Sequence, residues 1–258
     1  MPSEGFVKVR VEKQIATVVL ANETRANSLT PDMHRQLEAT WAQLDADPQV
    51  RVAVITAEGD RHFCAGADLT ALSKPGTMIK RGEAGKWTPR QNNFSKPVIA
   101  AINGTVAGGG MFFVVDVDIV LASQNARFLD PHVALGQVSA YTVLRAALTI
   151  GLGEAAYLGI AGGEMSSARA YQLGIVQELH DSPDAVRSAA HDLAVKIASF
   201  SPAAVRITLR NLRGMVSVPH EQEVLARSIA ETEDHWDHPD ASEGPRARIE
   251  GRPPVWAS

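Results

Sequence analysis

The sequence predicts an α/β fold whose C-terminal part is helical. In the first half of the chain, short apolar segments rich in β-branched residues alternate with segments of helical spacing. Beyond residue 142 the apolar spacing is mostly helical. The chain has 258 residues, of which 45% are hydrophobic and 21% charged, so it can bury a sizeable core. This length indicates one large domain, or one domain with an appended segment.

The N-terminal elements follow from local patterns. Residues 6–20 alternate loosely and are expected to form two strands joined near residues 12–14. The stretch NSLTPDM then starts a helix, with Thr30 as its N-cap and Pro31 at its first position. The stretch DADPQV ends that helix, and residues 51–57 are expected to form a short buried strand that runs parallel to its neighbours.

The rest of the chain continues this alternation and then becomes helical. The stretch EGDRHFCAGADL is predicted to form a glycine-containing turn, and the polar residues 70–92 are predicted to form a mobile, irregular loop. Further strands are expected over 96–104, over 118–123 and in ARFLDP. Residues 142–179 are expected to be mostly helical, and two more helices are expected in SPAAVRITLRNL (201–212) and EQEVLARSIAETEDHW (221–236).

Composition excludes several classes of protein. The formal net charge of −4 argues against a broad nucleic-acid-binding surface. Cys64 is the only cysteine, so an intrachain disulfide and a zinc site built of cysteines are excluded, and the histidines show no metal-ligand spacing. The N-terminus lacks the apolar core of a signal peptide, and no apolar run is long enough to span a membrane. We therefore expect a cytoplasmic protein with no metal and no membrane partner.

Two glycine-containing turns, each after a buried strand, are the strongest functional signal. They are AGADL (65–69), which follows the strand at 51–57, and GTVAGGGMF (104–112), which follows the strand at 96–104. Turns after parallel strands lie at the sheet edge where ligands bind. A helix that starts near Gly110 would direct unpaired N–H groups at a ligand, and two such groups could hold one oxygen as an oxyanion hole. The alternative is that the glycines only permit tight packing of a strand against a helix.

Several motifs in the same order resemble the crotonase, or enoyl-CoA hydratase/isomerase, superfamily. They are FCAGADL, KPVIAAING, AGGGMFF, DIVLAS, ARFLDPHV, GEMSSARAYQLGIVQEL and SEGPRARIEGRPPVW. The resemblance implies a spiral of ββα units, an acyl-CoA thioester as ligand with no further cofactor, and a homotrimer or dimer of trimers. It implies a spiral core over residues 1–195 and a helical trimerisation segment over residues 196–258.

The resemblance also assigns site residues. The backbone N–H groups of Ala67 and Gly109 would hold the thioester oxygen as it becomes an enolate. The turn AGADL would line the pantetheine of coenzyme A, and the backbone at Arg25 and Ala26 would meet the adenine. The residues expected to contact the substrate are thus Arg25, Ala26, Ala65, Gly66, Asp68, Leu69, Gly108, Phe112, Asp130 and Tyr141.

Two departures from the family pattern affect the expected chemistry. The hydratases of the family use two glutamates as general acid and base, and this chain has Phe112 and His132 at those positions. His132 has a side chain suited to proton transfer at neutral pH, and Asp130 would pair with it if the segment were extended. Phe112 would make the acyl pocket apolar. Ser139 and Tyr141 could reach the pocket as hydrogen-bond donors, although both also fit as plain loop residues.

Three hypotheses remain at this stage. The first is an acyl-CoA enzyme, a lyase, isomerase or hydrolase, that keeps the oxyanion hole and uses other acid/base groups such as His132. The second is a conventional enoyl-CoA hydratase or isomerase, against which the missing glutamates argue. The third is a protein that binds acyl-CoA without converting it.

Overall fold

The fold was analysed in a computed structural model of the chain. The structure describes residues 5–69, 86–215 and 237–257, and the single positions 223, 226, 227, 230, 231, 233 and 234. The predicted irregular loop therefore lies mostly outside the described residues, as does much of the helix predicted over 221–236, although the single positions within it are helical.

The described strands form two sheets. A six-stranded sheet has the order β1-β2-β3-β5-β7-β10, and a four-stranded sheet has the order β4-β6-β8-β9. The strands are β1 (Phe6–Glu12), β2 (Ile15–Ala21), β3 (Val52–Ala57), β4 (His62–Cys64), β5 (Val98–Ile102), β6 (Thr105–Ala107), β7 (Ile119–Ser123), β8 (Arg127–Leu129), β9 (Glu164–Ser166) and β10 (Glu178–His180).

Most strand pairs are parallel. The exceptions are the hairpin β1–β2 and the pair β8–β9. In the hairpin, Lys13 and Gln14 both have positive φ, which gives the turn the twist that antiparallel strands require. Every residue of β3 and β5 is buried, as expected for central parallel strands covered on both faces.

Within the described residues, seven helices accompany the sheets. They are α1 (Pro31–Ala46), α2 (Phe112–Val115), α3 (Tyr141–Gly159), α4 (Ser167–Gln172), α5 (Pro183–Ala198), α6 (Pro202–Met215) and α7 (Pro239–Glu250). The predicted start of α1 is confirmed, because the Thr30 side chain accepts a hydrogen bond from the Met33 N–H and Pro31 follows it. Helix α3 is interrupted at Gly151, which has a φ of 79°. Among the described residues, no helix combines the length and apolar character that crossing a bilayer requires.

The predicted ββα spiral is confirmed. In three successive strand pairs, the first strand belongs to the larger sheet and the second to the smaller sheet. These pairs are β3/β4, β5/β6 and β7/β8. One apolar core lies between the sheets and α1. A second lies between the outer face of the larger sheet and α5.

Some local predictions were wrong. The turn EGDRHFCAGADL contains β4, and residues 142–179, which are mostly helical as predicted, also include β9 and the start of β10. These strands are only three residues long, too short to show a period, and neighbouring strands determine them. The sequence reading also missed α5, whose buried positions are Val186 and a row of alanines. The boundary predicted at residue 195 lies inside α5, and the division into two segments stays a prediction.

Candidate active site

The two glycine-containing turns lie against each other. Gly66 has a φ of 87°, a conformation that side-chain-bearing residues rarely adopt. A Cβ atom placed on Gly66 would lie 2.8 Å from the Gly109 nitrogen and 3.0 Å from the Ala107 oxygen. A residue with a side chain therefore cannot occupy position 66 without separating the turns. The backbones of the two turns are therefore in direct contact.

The N–H groups of Ala67 and Gly109 lie at this contact. Gly109 is the second residue of a 3-10 turn over Gly108–Met111, and the first N–H groups of a helical turn have no partner within it. The turn thus begins at Gly108, earlier than the predicted start near Gly110. A Cβ atom placed on Gly109 would lie 3.5 Å from the Ala67 nitrogen. Within the described residues, the Ala67 N–H donates no hydrogen bond.

Neighbouring contacts hold the first turn in place. The Leu29 N–H donates to the Gly66 oxygen over 2.8 Å, and the Asp68 N–H donates to the Leu29 oxygen over 3.0 Å. These bonds flank Ala67, so its peptide is held from both sides. Two polar N–H groups from different turns, fixed in contact, can together bind one developing negative oxygen.

Arg25 and Ala26 also lie at this turn. The Arg25 guanidinium forms an ion pair with Asp68 at 2.6 Å. The Ala65 N–H donates to the Ala26 oxygen over 3.0 Å, and Ala26 adopts a left-handed conformation with a φ of 53°. The structure thus places both residues beside the turn 65–69, which ends at the partly buried Leu69.

His132 and Asp130 form a hydrogen-bonded pair. The His132 Nδ1 atom lies 2.5 Å from Asp130 Oδ1. The Asp130 side chain is fully buried, and its Oδ2 atom accepts hydrogen bonds from Ser139 Oγ at 2.5 Å and Thr142 Oγ1 at 2.9 Å. Ser139 is therefore a partner of Asp130 rather than a plain loop residue.

These contacts set the protonation of the pair. Burial raises the pKa of the Asp130 carboxyl, but its hydrogen bonds with His132, Ser139 and Thr142 and the charge of His132 outweigh burial, so that the pKa lies below its usual value. Asp130 is thus ionised at neutral pH. An ionised acceptor next to Nδ1 favours a proton on that atom and leaves Nε2 as the atom that faces other partners.

The pair lies beside the glycine triplet. A Cβ atom placed on Gly108 would lie 3.7 Å from His132 Cε1 and 3.7 Å from Pro131 Cδ. The predicted pairing of His132 with Asp130 is present, but the expected extended geometry is wrong. His132 has helical dihedral angles, and its backbone N–H also donates to Asp130 over 3.2 Å. The two side chains meet because the chain turns there.

Aromatic rings border the second turn. The Phe112 ring stacks on Tyr141 with centroids 4.9 Å apart and an interplanar angle of 8°, and its centroid lies 4.8 Å from that of Trp87. A Cβ atom on Gly109 would lie 2.8 Å from Trp87 Cη2, so the indole also lies next to the N–H pair. Phe112 therefore belongs to a cluster of aromatic rings, and its predicted place in an acyl pocket stays a prediction. Trp87 was missed because it lies in the segment read as an irregular loop.

A buried carboxylate lies behind the rings. Asp116 accepts hydrogen bonds from Tyr141 Oη at 2.8 Å and from Thr88 Oγ1 at 2.6 Å. Burial raises the pKa of Asp116, and these hydrogen bonds oppose that rise. Burial also raises the pKa of Tyr141, so its hydroxyl stays protonated. The sequence analysis did not single out Asp116, although an acidic residue one turn after Phe112 in an apolar run was a usable signal.

Cys64 has no catalytic character. It is fully buried, and burial raises the pKa of its thiol to about 12, so the reactive thiolate is absent at neutral pH. Among the residues that the structure describes, histidine, cysteine and acidic side chains form no group of three or more that could hold a metal ion.

Comparisons with known proteins identify relatives. The sequence model of the enoyl-CoA hydratase/isomerase family matches residues 10–258. The chain is 31% identical over 209 residues to a short-chain-enoyl-CoA hydratase of Clostridium acetobutylicum, covering 79% of this chain and 80% of that protein. It is 32% identical over 257 residues to the mevalonyl-coenzyme A hydratase sidH of Aspergillus fumigatus, covering 94% and 91%. The crystal structure of carnitinyl-CoA hydratase from Mycobacterium avium is similar with a TM-score of 0.85 and 30% identity, covering 97% of this chain and 98% of that one.

Proposed function

Because the chain belongs to the enoyl-CoA hydratase/isomerase family, we propose that it acts on an acyl-CoA thioester by forming an enolate, with His132 as the base. The observation that carries this proposal is the placement of the His132–Asp130 pair beside the contact between the two glycine-containing turns. The proposed step needs no cofactor other than the coenzyme A of the substrate.

The thioester is held through backbone groups. The Ala67 and Gly109 N–H groups donate to the carbonyl oxygen, and their bonds strengthen as that oxygen becomes negative. A donor of this kind contributes about 10²–10³ in rate. The turn 65–69 lines the pantetheine, and the backbone at Arg25 and Ala26 receives the adenine end.

His132 then removes a proton from the substrate. Its Nε2 atom accepts the proton from the carbon next to the carbonyl, and the C–H electron pair moves into the enolate. Asp130 holds the imidazole ring and stabilises its charged form, which makes Asp130 a positioning residue. A positioned base contributes about 10²–10⁴ in rate. The Phe112 ring cannot exchange a proton, so one half of the usual two-carboxylate machinery is absent.

A conventional hydratase is the second candidate, because both curated relatives reported above are named hydratases. Hydration of an enoyl thioester needs one group to activate water and one to protonate the adjacent carbon. Within the described residues, His132 and Cys64 lie against the glycine triplet, and burial raises the pKa of the Cys64 thiol to about 12, which leaves His132 as the candidate acid/base group. Asp116 lies behind the Phe112 and Tyr141 rings. We therefore propose that the protein is not an ordinary hydratase.

Hydrogen–deuterium exchange tests the proposal without knowledge of the final reaction. Butyryl-CoA and glutaryl-CoA are incubated with the protein in D2O, and loss of the signal from the hydrogens next to the carbonyl is followed by NMR. The wild-type protein is expected to catalyse exchange. The His132→Ala variant should lose about 10²–10⁴ in rate while binding both thioesters with unchanged Kd. His191→Ala, which alters an exposed histidine on α5, is the matched control and should behave as wild type.

The other outcomes discriminate between the hypotheses. Unchanged exchange in the His132→Ala variant would remove His132 from the mechanism. Binding without any exchange would indicate an acyl-CoA-binding protein with no catalysis. Saturable hydration of crotonyl-CoA by the wild type would establish the conventional activity and contradict the proposal.

We also propose that the chain assembles as a homotrimer or a dimer of trimers through residues 196–258 and neighbouring apolar surface. Helix α3 carries a row of large exposed apolar side chains, namely Leu148, Leu152, Tyr157 and Ile160. Several large exposed apolar side chains on one element are typical of a protein contact.

A further inference from the structure

The C-terminal end of the chain packs against the turn that carries His132. This turn begins at His132 and continues through a short 3-10 helix, Val133–Leu135, to Gly136. The His132 oxygen accepts hydrogen bonds from the Leu135 N–H over 2.9 Å and from the Gln137 N–H over 2.8 Å. The place of the imidazole therefore depends on where this short turn lies.

Helix α7 meets the turn backbone to backbone. A Cβ atom placed on Gly244 would overlap the Leu135 oxygen and would lie 2.7 Å from Leu135 Cα. A Cβ atom placed on Gly136 would overlap the Asp240 oxygen and would lie 2.6 Å from Trp256 Cζ3. The turn thus contacts both α7 and the ring of Trp256, which belongs to the C-terminal tail, residues 251–257.

A buried carboxylate on α7 holds this tail. Glu243 is only 5% exposed, and its Oε1 atom accepts hydrogen bonds from Arg252 Nη1 at 2.5 Å and from the Val255 N–H at 2.8 Å. Hydrogen bonds from Arg252, Arg246 and the Val255 N–H hold the pKa of Glu243 well below its usual value. Glu243 is therefore ionised at neutral pH and anchors the tail through charge-assisted hydrogen bonds.

The residues on both sides of Trp256 are bonded to α7. The Val255 N–H donates to Glu243, and the Ala257 N–H donates to Asp240 Oδ1 over 2.7 Å. Trp256 lies between these two anchored peptides and is 39% exposed, so most of its surface is covered. Its ring is thus held in contact with Gly136 by two acids of the same helix.

The opposite side of His132 contacts the second glycine-containing turn. A Cβ atom placed on Gly108 would lie 3.7 Å from His132 Cε1. Asp130 holds the imidazole at Nδ1, whereas the backbone of His132 is held through its turn. A displacement of about 1 Å at a reacting group can cost about 10²-fold in rate, so the contact between the tail and the turn bears on the chemistry.

We propose that Trp256 and Glu243 are positioning residues for the reaction at His132. Glu243 holds the tail against α7, and the Trp256 ring holds the turn that carries the imidazole. This inference rests on the proposed function, since it assumes that His132 removes the proton. Neither residue is assigned a contact with the substrate, so their loss should slow proton removal without weakening the binding of the thioester.

Variants of the tail test this assignment in the deuterium-exchange assay with butyryl-CoA. Trp256→Ala should lower the maximal exchange rate about 10- to 100-fold and leave the Kd of butyryl-CoA unchanged. Trp256→Phe keeps a ring against Gly136 and should recover most of the rate. Glu243→Gln removes the charge that holds Arg252 and should also slow exchange. Val255→Ala is the matched control, because its side chain is 76% exposed and its N–H still donates to Glu243.

NMR of protein labelled with 15N-histidine measures the state of the imidazole directly. The signals of His132 are identified as those that the His132→Ala variant lacks. In the wild type they should show the proton on Nδ1, next to Asp130. In Trp256→Ala they should move toward an average of the two neutral tautomers, whereas Val255→Ala should match the wild type. Circular dichroism checks folding, and Glu243→Gln provides the same comparison if Trp256→Ala does not fold.

The two measurements separate failure of this inference from failure of the proposed function. Unchanged His132 signals in Trp256→Ala would overturn the positioning role, whatever the exchange rate. Slower exchange accompanied by weaker binding of butyryl-CoA would also overturn it, because Trp256 would then contact the substrate. Altered His132 signals in a protein whose wild type catalyses no exchange would support the contact and contradict the proposed function.

Discussion

At the scale of single residues, the candidate site contains an imidazole backed by a buried carboxylate. Asp130 accepts three side-chain hydrogen bonds, from His132, Ser139 and Thr142, so its orientation is fixed. His132 is the partly exposed member, with 20% of its side chain accessible, whereas Asp130 is fully buried. The buried anion fixes the imidazole ring, and the imidazole is the member that can reach a ligand.

A second histidine, His34, is buried and contacts a tryptophan instead of a carboxylate. His34 on α1 is buried, its ring packs against Trp87 with centroids 4.7 Å apart, and its Nε2 atom has no partner among the described residues. Burial lowers its pKa to about 4, because burial disfavours the charged form of the ring. The folded protein therefore holds His34 neutral over a pH range in which the unfolded chain binds a proton.

We predict that His34 makes the protein sensitive to mild acid. Between the unfolded pKa near 6.5 and the folded value of about 4, the unfolded state binds more protons, so stability falls as pH falls. The free energy of unfolding should drop by roughly 3 kcal/mol from this group across that range. Urea unfolding at neutral pH and at about pH 4.5 measures the change.

The His34→Phe variant isolates this contribution, because it keeps a ring against Trp87 and removes the titrating nitrogen. Other groups titrate equally in both proteins, so the acid-induced loss should be smaller in the variant by the stated amount. An equal loss in the two proteins would show that His34 is protonated in the folded state.

At the scale of elements, the site depends on two turns that must touch through backbone. Gly66 brings the first turn against Gly109, and Gly108 leaves room for His132 beside the second. The N–H pair is therefore a property of the contact between turns, and a side chain at position 66 would separate its two members.

We predict that Gly66→Ala lowers enolate formation far more than stability. The added methyl group would contact the Gly109 nitrogen and move that N–H away from the carbonyl oxygen, costing about 10²–10³ in the rate of deuterium exchange. Gly174→Ala is the matched control. Gly174 has a similar φ of 81°, but the nearest atom to its added methyl group would be 4.0 Å away.

In urea unfolding, Gly174→Ala should lose about 1 kcal/mol of stability from backbone strain, and Gly66→Ala should lose more because its methyl group also contacts backbone atoms. Only Gly66→Ala should lose exchange activity. Similar rates in the two variants would indicate that the Ala67 and Gly109 N–H groups do not act on the thioester.

Elements with local signals were predictable, and those determined by distant partners were not. Thr30 and Pro31 indicate the start of α1, and alternation indicates the hairpin, because both patterns act within a few residues. Strand β10 exists through pairing with β7, more than 50 positions earlier in the chain. Likewise, Trp87 and Asp116 join the site only through contacts with distant residues.

At the scale of the molecule, the spiral brings remote segments to one place. Successive units of the spiral contribute one segment each to the site. The two glycine-containing turns follow β4 and β6, and the His132 segment follows β8, all in the smaller sheet. Since β6 pairs with both β4 and β8, the three segments leave the sheet side by side. The site is thus built on adjacent strand ends.

The same architecture leaves α3 with apolar side chains that nothing in the described part of the chain covers, since Leu152 is 81% exposed and Ile160 76% exposed. We predict that the protein is a trimer or hexamer of its 27.6 kDa chain and that the double variant Leu152→Glu, Ile160→Glu is smaller. Burying two carboxylates in an apolar contact costs several kcal/mol, enough to dissociate the assembly. Light scattering coupled to size-exclusion chromatography measures the mass, and circular dichroism checks that the variant is folded.

Val9→Glu, at an exposed apolar residue on β1, serves as the control and should keep the wild-type mass. A monomeric wild type would refute the proposed assembly, and a double variant of unchanged mass would place the contact elsewhere on the surface.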